Sequence, residues 1–278
     1  MKKNSKTTFH PPFSFSSCQG FSLIELMIAL AITSIIASAI YTSFMSQHKT
    51  HVIQNDVVEM QQNIRAAMAV MAREVMLAGY DPEGTGAFGI TSISSNALTF
   101  SIDQNSDGIL DADETITYNL FDSPVAPASE QDGILDLGRD AGSGFELVAE
   151  SIDAIAFAYA FDRDDDGVLD TLNGQTIWAI DNDNDGSLDF SLDTASPGDA
   201  TTPDGLITSD DIEGGVALGF TVPTTAIRAV KVWILATTKN ASRDFADFSI
   251  YIVGDRHLQP ADANRHRLLT TTIFFRNT

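Results

Sequence analysis

The sequence predicts an α+β protein in which one long N-terminal α-helix packs on a globular head rich in antiparallel β-strands. Three observations support this prediction. Helix-forming residues without proline extend from residue 21 to residue 79, short runs of strand-forming residues follow, and Asp-Gly steps typical of turns separate those runs. With 278 residues, 44% of them hydrophobic, the chain is long enough for one head domain and a long appendage.

The first 45 residues have the charge and hydropathy pattern of a membrane anchor. Residues 1–20 contain three lysines and no acidic residue, and Gly20 separates them from an apolar run. That run, residues 21–45, is long enough to cross a bilayer as a helix. Glu25 lies inside the run, where a carboxylate costs several kcal/mol unless it has a partner. Cleavage after Gly20 would supply a partner, namely the new amino group of Phe21 on a neighbouring subunit.

The residues around this boundary resemble a known processing signal. Type IV prepilins and pseudopilins carry a class III signal that is similar to the sequence GFSLIEL at residues 20–26. The resemblance implies that residues 1–20 are a leader peptide, that prepilin peptidase cleaves after Gly20, and that the new N-terminal residue, Phe21, is methylated. It also implies that Glu25 guides assembly into a fibre, in which the N-terminal helix contacts other minor and major pilins.

Residues 46–80 are predicted to continue the helix as an amphipathic segment that packs on the head. Their apolar residues recur at steps of three and four positions, which is the spacing of one helix face. The residues with this spacing are Val57, Met60, Ile64, Met68, Met71, Val75 and Leu77. Gly79, followed by Asp81 and Pro82, is typical of a helix end, because glycine adopts the left-handed cap conformation and proline cannot continue the helix.

Three further segments narrow the resemblance. Minor pilins of the PilW type have a helix end similar to residues 65–82, a late core strand similar to residues 227–235 and a C-terminal end similar to residues 274–277. The related J-type minor pseudopilins of type II secretion share part of this pattern. The resemblance implies a single-pass inner-membrane subunit that contacts the assembly platform and helps initiate or cap pilus assembly. Its head would be periplasmic before assembly and later part of the pilus fibre or its tip.

The head, residues 81–278, is divided by charge. Residues 81–220 hold 30 acidic and two basic residues, a net of −28, whereas residues 221–278 hold four acidic and eight basic residues, a net of +4. The whole chain has a formal net charge of −22, which repels phosphate backbones, so no direct nucleic-acid binding is expected. So dense an acidic region must bind cations or remain well solvated.

Seven runs rich in β-branched and aromatic residues are predicted to form the strands of the head. These runs are residues 97–102, 115–121, 152–161, 176–180, 229–237, 248–253 and 270–275. Helical periodicity of comparable length does not recur after Gly79, so the head is expected to be mainly β-structure.

Acidic loops between these runs match the twelve-residue calcium-binding loop. That pattern places oxygen ligands at positions 1, 3, 5, 7, 9 and 12, with a backbone carbonyl at position 7 and a glycine at position 6. Three loops fit, within insertions at about residues 103–211, and we expect two or three Ca²⁺ ions. The expected ligands are Asp103, Asn105, Asp107, Ile109, Asp111 and Glu114; Asp162, Asp164, Asp166, Val168 and Asp170; and Asp181, Asp183, Asp185, Ser187 and Asp189.

The glutamate of position 12 occurs in the first loop alone, since Asn173 and Leu192 stand there in the second and third loops. Weaker echoes of the pattern occur at residues 132–136 and 204–208. Strand-like runs rather than helices flank the loops, so we expect calcium-clamped β connections and no sensor-like opening. A solvated acidic turn, in which Asp-Gly simply favours a hairpin, is the alternative structural interpretation.

Two other functions are open at this stage. A minor pseudopilin of type II secretion predicts the same anchor but a fibre that stays in the periplasm. A pilus-tip adhesin predicts that the acidic insertions bind a surface or ligand directly. An enzyme is not expected, because no catalytic constellation is recognisable in the sequence. His48 and His51 lie one helical turn apart without a third ligand, and the acidic residues fit the calcium pattern.

Overall fold

The computed structural model describes residues 20–125, 130, 131, 133–195, 198, 199 and 201–277, the side chains of residues 125, 130 and 131 excepted. The leader predicted at residues 1–20 lies outside the described residues apart from Gly20, and so does Asp132 of the first weak echo. The chain divides into two compact units, Met1–Val52 and Ile53–Thr278.

The described part of the first unit consists mainly of the N-terminal part of α1 (Leu23–Val75). Residues 20–52 are all exposed. An 18-residue window of α1 has a mean hydropathy of 2.3 and no buried residue, so by length and composition the helix could cross a membrane. This exposed apolar stretch corresponds to the run predicted at residues 21–45.

In the second unit, the C-terminal part of α1 packs against the head through one face. Its buried residues are Met60, Ile64, Ala67, Met68, Met71 and Val75. The helix ends at Val75 and not at Gly79 as predicted, because the N–H groups of Leu77 and Ala78 bond to carbonyls only three residues back. This tightened turn reaches Gly79, whose φ of +75° is the left-handed conformation expected after a helix.

The described residues after the helix contain 17 β-strands and two 3-10 helices. The strands are β1 (Ile90–Ile93), β2 (Leu98–Ser101), β3 (Thr115–Phe121), β4 (Pro124–Val125), β5 (Glu130–Gln131), β6 (Asp136–Asp140), β7 (Phe145–Ala149), β8 (Ile152–Phe161), β9 (Thr171–Leu172), β10 (Gln175–Thr176), β11 (Ala179–Ile180), β12 (Ser187–Ser191), β13 (Val216–Pro223), β14 (Ile227–Thr237), β15 (Tyr251–Val253), β16 (Arg256–Leu258) and β17 (His266–Phe274). The 3-10 helices are Ala112–Glu114 and Thr224–Ala226.

Two sheets form the framework of the head. The larger sheet has six strands in the order β13-β12-β11-β8-β14-β17, and the second has five in the order β1-β2-β3-β6-β7. Three strand pairs, β4-β5, β9-β10 and β15-β16, form two-stranded sheets. All pairings between the described strands are antiparallel. The predicted fold class, a long helix on an antiparallel β-rich head, is therefore confirmed.

The central strand β8 is buried on both faces, since apolar residues occupy both. Large and small apolar residues alternate along it. The large residues Ile155, Phe157, Tyr159 and Phe161 lie in the same apolar cluster as the buried face of α1. The alternate residues Ala154, Ala156, Ala158 and Ala160 lie in a second cluster with Trp178, Trp233 and Val253. The small alanine side chains leave room for both indole rings on the outer face of the sheet.

The chain approaches this alanine face most closely at Gly254, between β15 and β16. Its φ is +62°, a conformation that glycine adopts without steric cost. A Cβ added there would lie 2.6 Å from the Cβ of Ala156, which is too short for two carbon atoms. Glycine therefore permits both the turn and the close approach.

A charge cluster around one buried histidine fastens this outer segment to the six-stranded sheet. The imidazole of His266, at the start of β17, has no exposed surface. Its Nε2 lies 2.8 Å from a carboxylate oxygen of Asp153 and 3.5 Å from one of Asp262, as ion contacts without hydrogen-bond alignment. Its Nδ1 lies 3.1 Å from Asp247. Burial lowers the pKa of His266, but Asp153 and Asp247 outweigh burial and raise it above the ordinary 6.5.

The chain should lose stability as the pH rises through this raised pKa. The fold favours protonated His266, so its contribution is complete below the unfolded value of 6.5 and disappears at higher pH. Melting temperatures of the full chain in detergent at several pH values detect the loss. Each unit by which the pKa of folded His266 exceeds the unfolded value corresponds to about 1.4 kcal/mol of stability. The variant His266→Asn should flatten this dependence, and His257→Asn should retain it. An identical slope in wild type and His266→Asn would contradict the assignment.

Candidate calcium-binding loops

Each of the three predicted loops starts where the chain leaves a buried segment. Asp103, Asp162 and Asp181 each follow a buried apolar residue and are themselves buried. Each accepts a hydrogen bond from the backbone N–H of its loop glycine, at 3.1 Å from Gly108, 2.8 Å from Gly167 and 2.9 Å from Gly186. These bonds hold the position 1 carboxylate against the inside of the turn, where the calcium loop presents its oxygens.

The second loop brings three predicted ligands together. Carboxylate oxygens of Asp162, Asp164 and Asp166 lie within 4.8 Å of one another, and Asp162 is buried whereas the other two are exposed. Burial raises the pKa of Asp162, but hydrogen bonds from the N–H groups of Gly167 and Asp166 outweigh burial and lower the pKa. The backbone therefore stabilises a negative charge at position 1.

The third loop repeats this arrangement. Carboxylate oxygens of Asp181, Asp183 and Asp185 also lie within 4.8 Å of one another. Asp189 accepts a hydrogen bond of 3.2 Å from the N–H of Asn182, which brings position 9 back to the start of the loop. Burial raises the pKa of Asp189, and the neighbouring carboxylates of Asp183, Asp181 and Asp185 raise it further against the effect of this hydrogen bond. A cation at this point would relieve the repulsion.

The first loop is closed by the predicted glutamate. Glu114 is buried and accepts hydrogen bonds from the N–H groups of Gln104 at 2.8 Å, Asn105 at 3.3 Å and Asp111 at 3.1 Å. Asn105, an amide at position 3, donates to Asp107 at 3.1 Å. Burial raises the pKa of Asp111, and the charges of Asp107 and Glu114 raise it further.

The remaining predicted ligands lie at positions 7 and 9. The position 7 residues of all three loops donate their N–H groups to the position 5 carboxylate at 2.8 Å, and these residues are Ile109, Val168 and Ser187. At position 9 of the second loop, the carboxylate of Asp170 lies 3.9 Å from the guanidinium of Arg163. Positions 5 and 7 are therefore joined in the same way in all three loops, and in the second loop an arginine competes for the position 9 carboxylate.

Converging carboxylates of this kind could bind a metal ion. Calcium takes six to eight oxygen ligands at about 2.3–2.6 Å, and carboxylates and backbone carbonyls are its usual ligands in proteins. The second and third loops each offer three carboxylates within 4.8 Å of one another. Because their mutual repulsion falls when a cation binds, the two acidic clusters fit a hard divalent ion.

The weak match to the calcium-loop pattern at residues 204–208 lacks a position 1 aspartate, and the structure supplies one from a residue distant in sequence. Asp193 is buried and accepts hydrogen bonds from the N–H groups of Asp204 at 3.1 Å and Gly205 at 2.7 Å. The same two bonds, from positions 5 and 6 to position 1, occur in the second and third loops. Leu206 donates to Asp204 at 2.9 Å, as position 7 donates to position 5 elsewhere. Asp193 therefore takes position 1 of a fourth loop.

Asp211 closes this fourth loop in the way that Glu114 closes the first. It is buried and accepts hydrogen bonds from the N–H groups of Thr194 at 2.7 Å, Ala195 at 3.0 Å and Thr208 at 2.7 Å. These donors stand at positions 2, 3 and 9 of the pattern, as do the donors to Glu114 in the first loop. The loop at residues 193–211 therefore has the same closing contacts as the first loop.

The sequence pattern missed this loop because it requires contiguous spacing. Asp204 follows Asp193 by eleven positions, whereas Asp107 follows Asp103 by four. A signal was nevertheless present, since an apolar residue directly precedes Asp193, as one precedes the first aspartate of each contiguous loop. Asp193 and Asp211 are thus two candidate ligands that only the tertiary structure reveals.

The predicted processing residues lie at the exposed start of α1. Phe21 has 87% of its surface exposed, and Gly20 is exposed as well. The N–H of Ser22 donates to the Glu25 carboxylate at 3.1 Å, and the N–H of Glu25 donates to the Ser22 hydroxyl at 3.2 Å. This reciprocal pair is a capping box, which satisfies two N–H groups at a helix start. Glu25 therefore stabilises its own helix, whatever its role in assembly.

Comparison with known proteins places the N-terminus in a recognised class. Residues 15–41 match the family model of the prokaryotic N-terminal methylation motif, which confirms the class III signal predicted at residues 20–26. The solved structure of a type IV-like pilin from Thermus thermophilus is similar over 78% of this chain and 96% of that chain, with 12% sequence identity and a TM-score of 0.40. No curated protein sequence matches the chain. The chain therefore carries the methylation motif of prepilins at the start of its long apolar helix.

Proposed function

We propose that this chain is a minor type IV pilin of the PilW type, a structural subunit rather than an enzyme. The observation that carries the proposal is the methylation motif at residues 15–41, which leads directly into a helix that could cross a membrane. The C-terminal part of that helix contributes its buried face to the core of a β-rich head. An exposed apolar helix joined to a folded head suits a subunit that leaves the membrane for a fibre.

The three segments that resemble PilW-type proteins meet in the fold, which supports the narrower assignment. The N–H of Phe275 bonds to the carbonyl of Arg228, in β14, at 3.0 Å. The N–H of Arg276 bonds to the carbonyl of Met76, just after the helix, at 3.3 Å. The side chain of Asn277 donates to the carbonyl of Leu77 at 3.4 Å. The C-terminal segment therefore joins the helix end to the late core strand.

The proposal includes calcium binding by the head. The candidate sites are the three contiguous loops and the split loop at residues 193–211, whose first aspartates are all buried and bonded to a loop glycine. Calcium would offset the repulsion within the loops and hold the connections between strands rigid. Extracellular modules of this kind bind calcium with dissociation constants of about 10⁻⁴–10⁻³ M.

The proposal also includes the location of the chain and its binding partners. The class III signal and the apolar helix are consistent with anchoring in the inner membrane. Prepilin peptidase would cleave after Gly20 and methylate Phe21. The mature helix would contact the assembly platform and other minor and major pilins, with the head in the periplasm and later in the fibre or at its tip.

Deletion of the gene, with surface fibres and secreted proteins scored in the same cells, tests this function. We expect fibres to be lost and secretion to continue, because a priming subunit is needed for pilus assembly alone. Normal fibres with blocked secretion would assign the chain to the type II pseudopilins instead. Normal fibres with lost attachment would favour the adhesin alternative, in which the acidic insertions contact a surface.

Complementation with helix variants separates assembly from helix stability. Glu25→Gln keeps the capping box, because glutamine also bonds back to the helix start, but removes the carboxylate charge. We expect Glu25→Gln and Glu25→Ala to fail to restore fibres. Glu59→Gln, at an exposed glutamate of the same helix, should restore them. Fibres restored by Glu25→Gln would show that the charge is not required.

A further inference from the structure

One lysine on the outer face of the six-stranded sheet lies among aromatic rings. Lys231, in β14, is opposite Ala158 of β8 and Thr272 of β17. Its Nζ lies 4.7 Å from the ring centroid of Trp178 and 5.7 Å from that of Trp233. The small residues on both neighbouring strands leave space above the ammonium group, and the indole faces attract its positive charge.

This ammonium group has no hydrogen-bond acceptor or ion-pair partner in the part of the chain that the structure describes. It carries three N–H donors, whose usual acceptors are carboxylate, carbonyl and hydroxyl oxygens and water. Burial lowers the pKa of Lys231, and the more distant charge of Asp193 opposes that effect. A half-buried cation that contacts only ring faces costs free energy unless an acceptor reaches it.

A cleft of about 460 Å³ opens above Lys231. Thr208 and Ser209 of the fourth loop line one side, and Thr270 of β17 lines another. Leu206 and Ile250, which are 61% and 59% exposed, add apolar surface. Trp233 lines the cleft together with the lysine. The cleft therefore combines one cation, several hydroxyl groups and an aromatic and aliphatic wall.

We propose that this cleft binds a small organic carboxylate whose body is a ring. The carboxylate would accept hydrogen bonds from Lys231, and the ring would pack on the exposed side chains of Leu206 and Ile250. In a chain of net charge −22, a lone cation between two indoles is an unusual recognition element for an anion. This function is separate from fibre assembly and adds a ligand-binding property to the head.

Tryptophan fluorescence tests the proposal directly, since the chain has two tryptophans and both flank Lys231. The full chain in detergent, with calcium present, is titrated with cyclohexanecarboxylate and with glucuronate. Their neutral counterparts, cyclohexanecarboxamide and glucose, are titrated in parallel. We expect a saturable change in emission with at least one acid and none with its neutral counterpart. The acid that binds more tightly shows whether the preferred ring is apolar or a sugar.

Three variants identify the group that binds. Lys231→Met should weaken binding at least tenfold, whereas Lys231→Arg should retain it. Lys239→Met removes one positive charge elsewhere in the head and should leave binding unchanged. Because a carboxylate could also bind at a calcium loop, a saturable change that persists in Lys231→Met would overturn the proposal. So would equal binding of the neutral compounds, or no saturable change in a chain whose circular dichroism shows it to be folded.

Discussion

Removing calcium from the full chain in detergent should lower its melting temperature by about 5–10 °C for each loop that binds an ion. A site held at a hundred times its dissociation constant stabilises the native state by about 2.7 kcal/mol. In a domain of this size, each kcal/mol changes the melting temperature by about 2–4 °C. The physical cause is the set of carboxylates within 4.8 Å of one another, which repel one another when no cation is bound.

Scanning calorimetry with excess chelator, excess calcium or excess magnesium measures this effect. Asp164→Asn and Asp183→Asn each remove one candidate ligand and should reduce the stabilisation by calcium. Asp165→Asn, in the same loop as Asp164, removes an equal charge from a residue that bonds Arg228 instead of facing the turn. It should therefore keep the full response to calcium. An unchanged melting temperature in excess chelator would eliminate the structural role of calcium.

Replacing Phe157 by alanine should lower the free energy of unfolding by about 3–5 kcal/mol. The side chain has no exposed surface and lies in the apolar cluster shared by α1 and the six-stranded sheet. It is opposite Val232 in the register of β8 and β14, so the cavity would open at the centre of the sheet. The surrounding strands are paired on both sides and can close this cavity only in part.

Denaturant unfolding of the full chain, with calcium present, measures the loss. Phe274→Ala is the matched control, because Phe274 is 59% exposed at the end of β17. Its replacement should change the free energy of unfolding by about 0.5 kcal/mol or less. Equal losses for the two variants would contradict the assignment of the core to the region between α1 and β8.

The strand that the sequence predicted most closely is one whose own residues favour an extended conformation. The run at residues 152–161 is rich in apolar and aromatic residues, and the structure forms β8 over that range. Strands β12 and β13 were missed, because Asp189 and Gly219 interrupt them and are unfavourable in strands. They form where tertiary pairing, as between Leu188 and Val222, outweighs local preference.

The candidate calcium-binding loops likewise divide into those that local sequence predicted and one that depends on tertiary structure. The contiguous loops could be located because the calcium-loop pattern has fixed spacing, and the structure places their position 1 aspartates alike. Their role as calcium ligands stays a prediction. The roles of Asp193 and Asp211 depend on chain folding over 17 intervening residues, which spacing alone does not encode. The neighbours of His266 likewise come from three separate segments, at residues 153, 247 and 262.

In the split loop at residues 193–211, the connection between position 1 and position 5 can vary in length. Ten residues separate Asp193 from Asp204, against three between Asp162 and Asp166, yet both N–H bonds to the position 1 carboxylate are kept. Each doubling of a flexible connection costs only about 0.6 kcal/mol. A foreign peptide inserted between Asp193 and Asp204 would be displayed on the head while the buried carboxylates of Asp193 and Asp211 retained their backbone partners. The connection is therefore a site for peptide insertion, because the contacts that hold the loop lie outside the inserted segment.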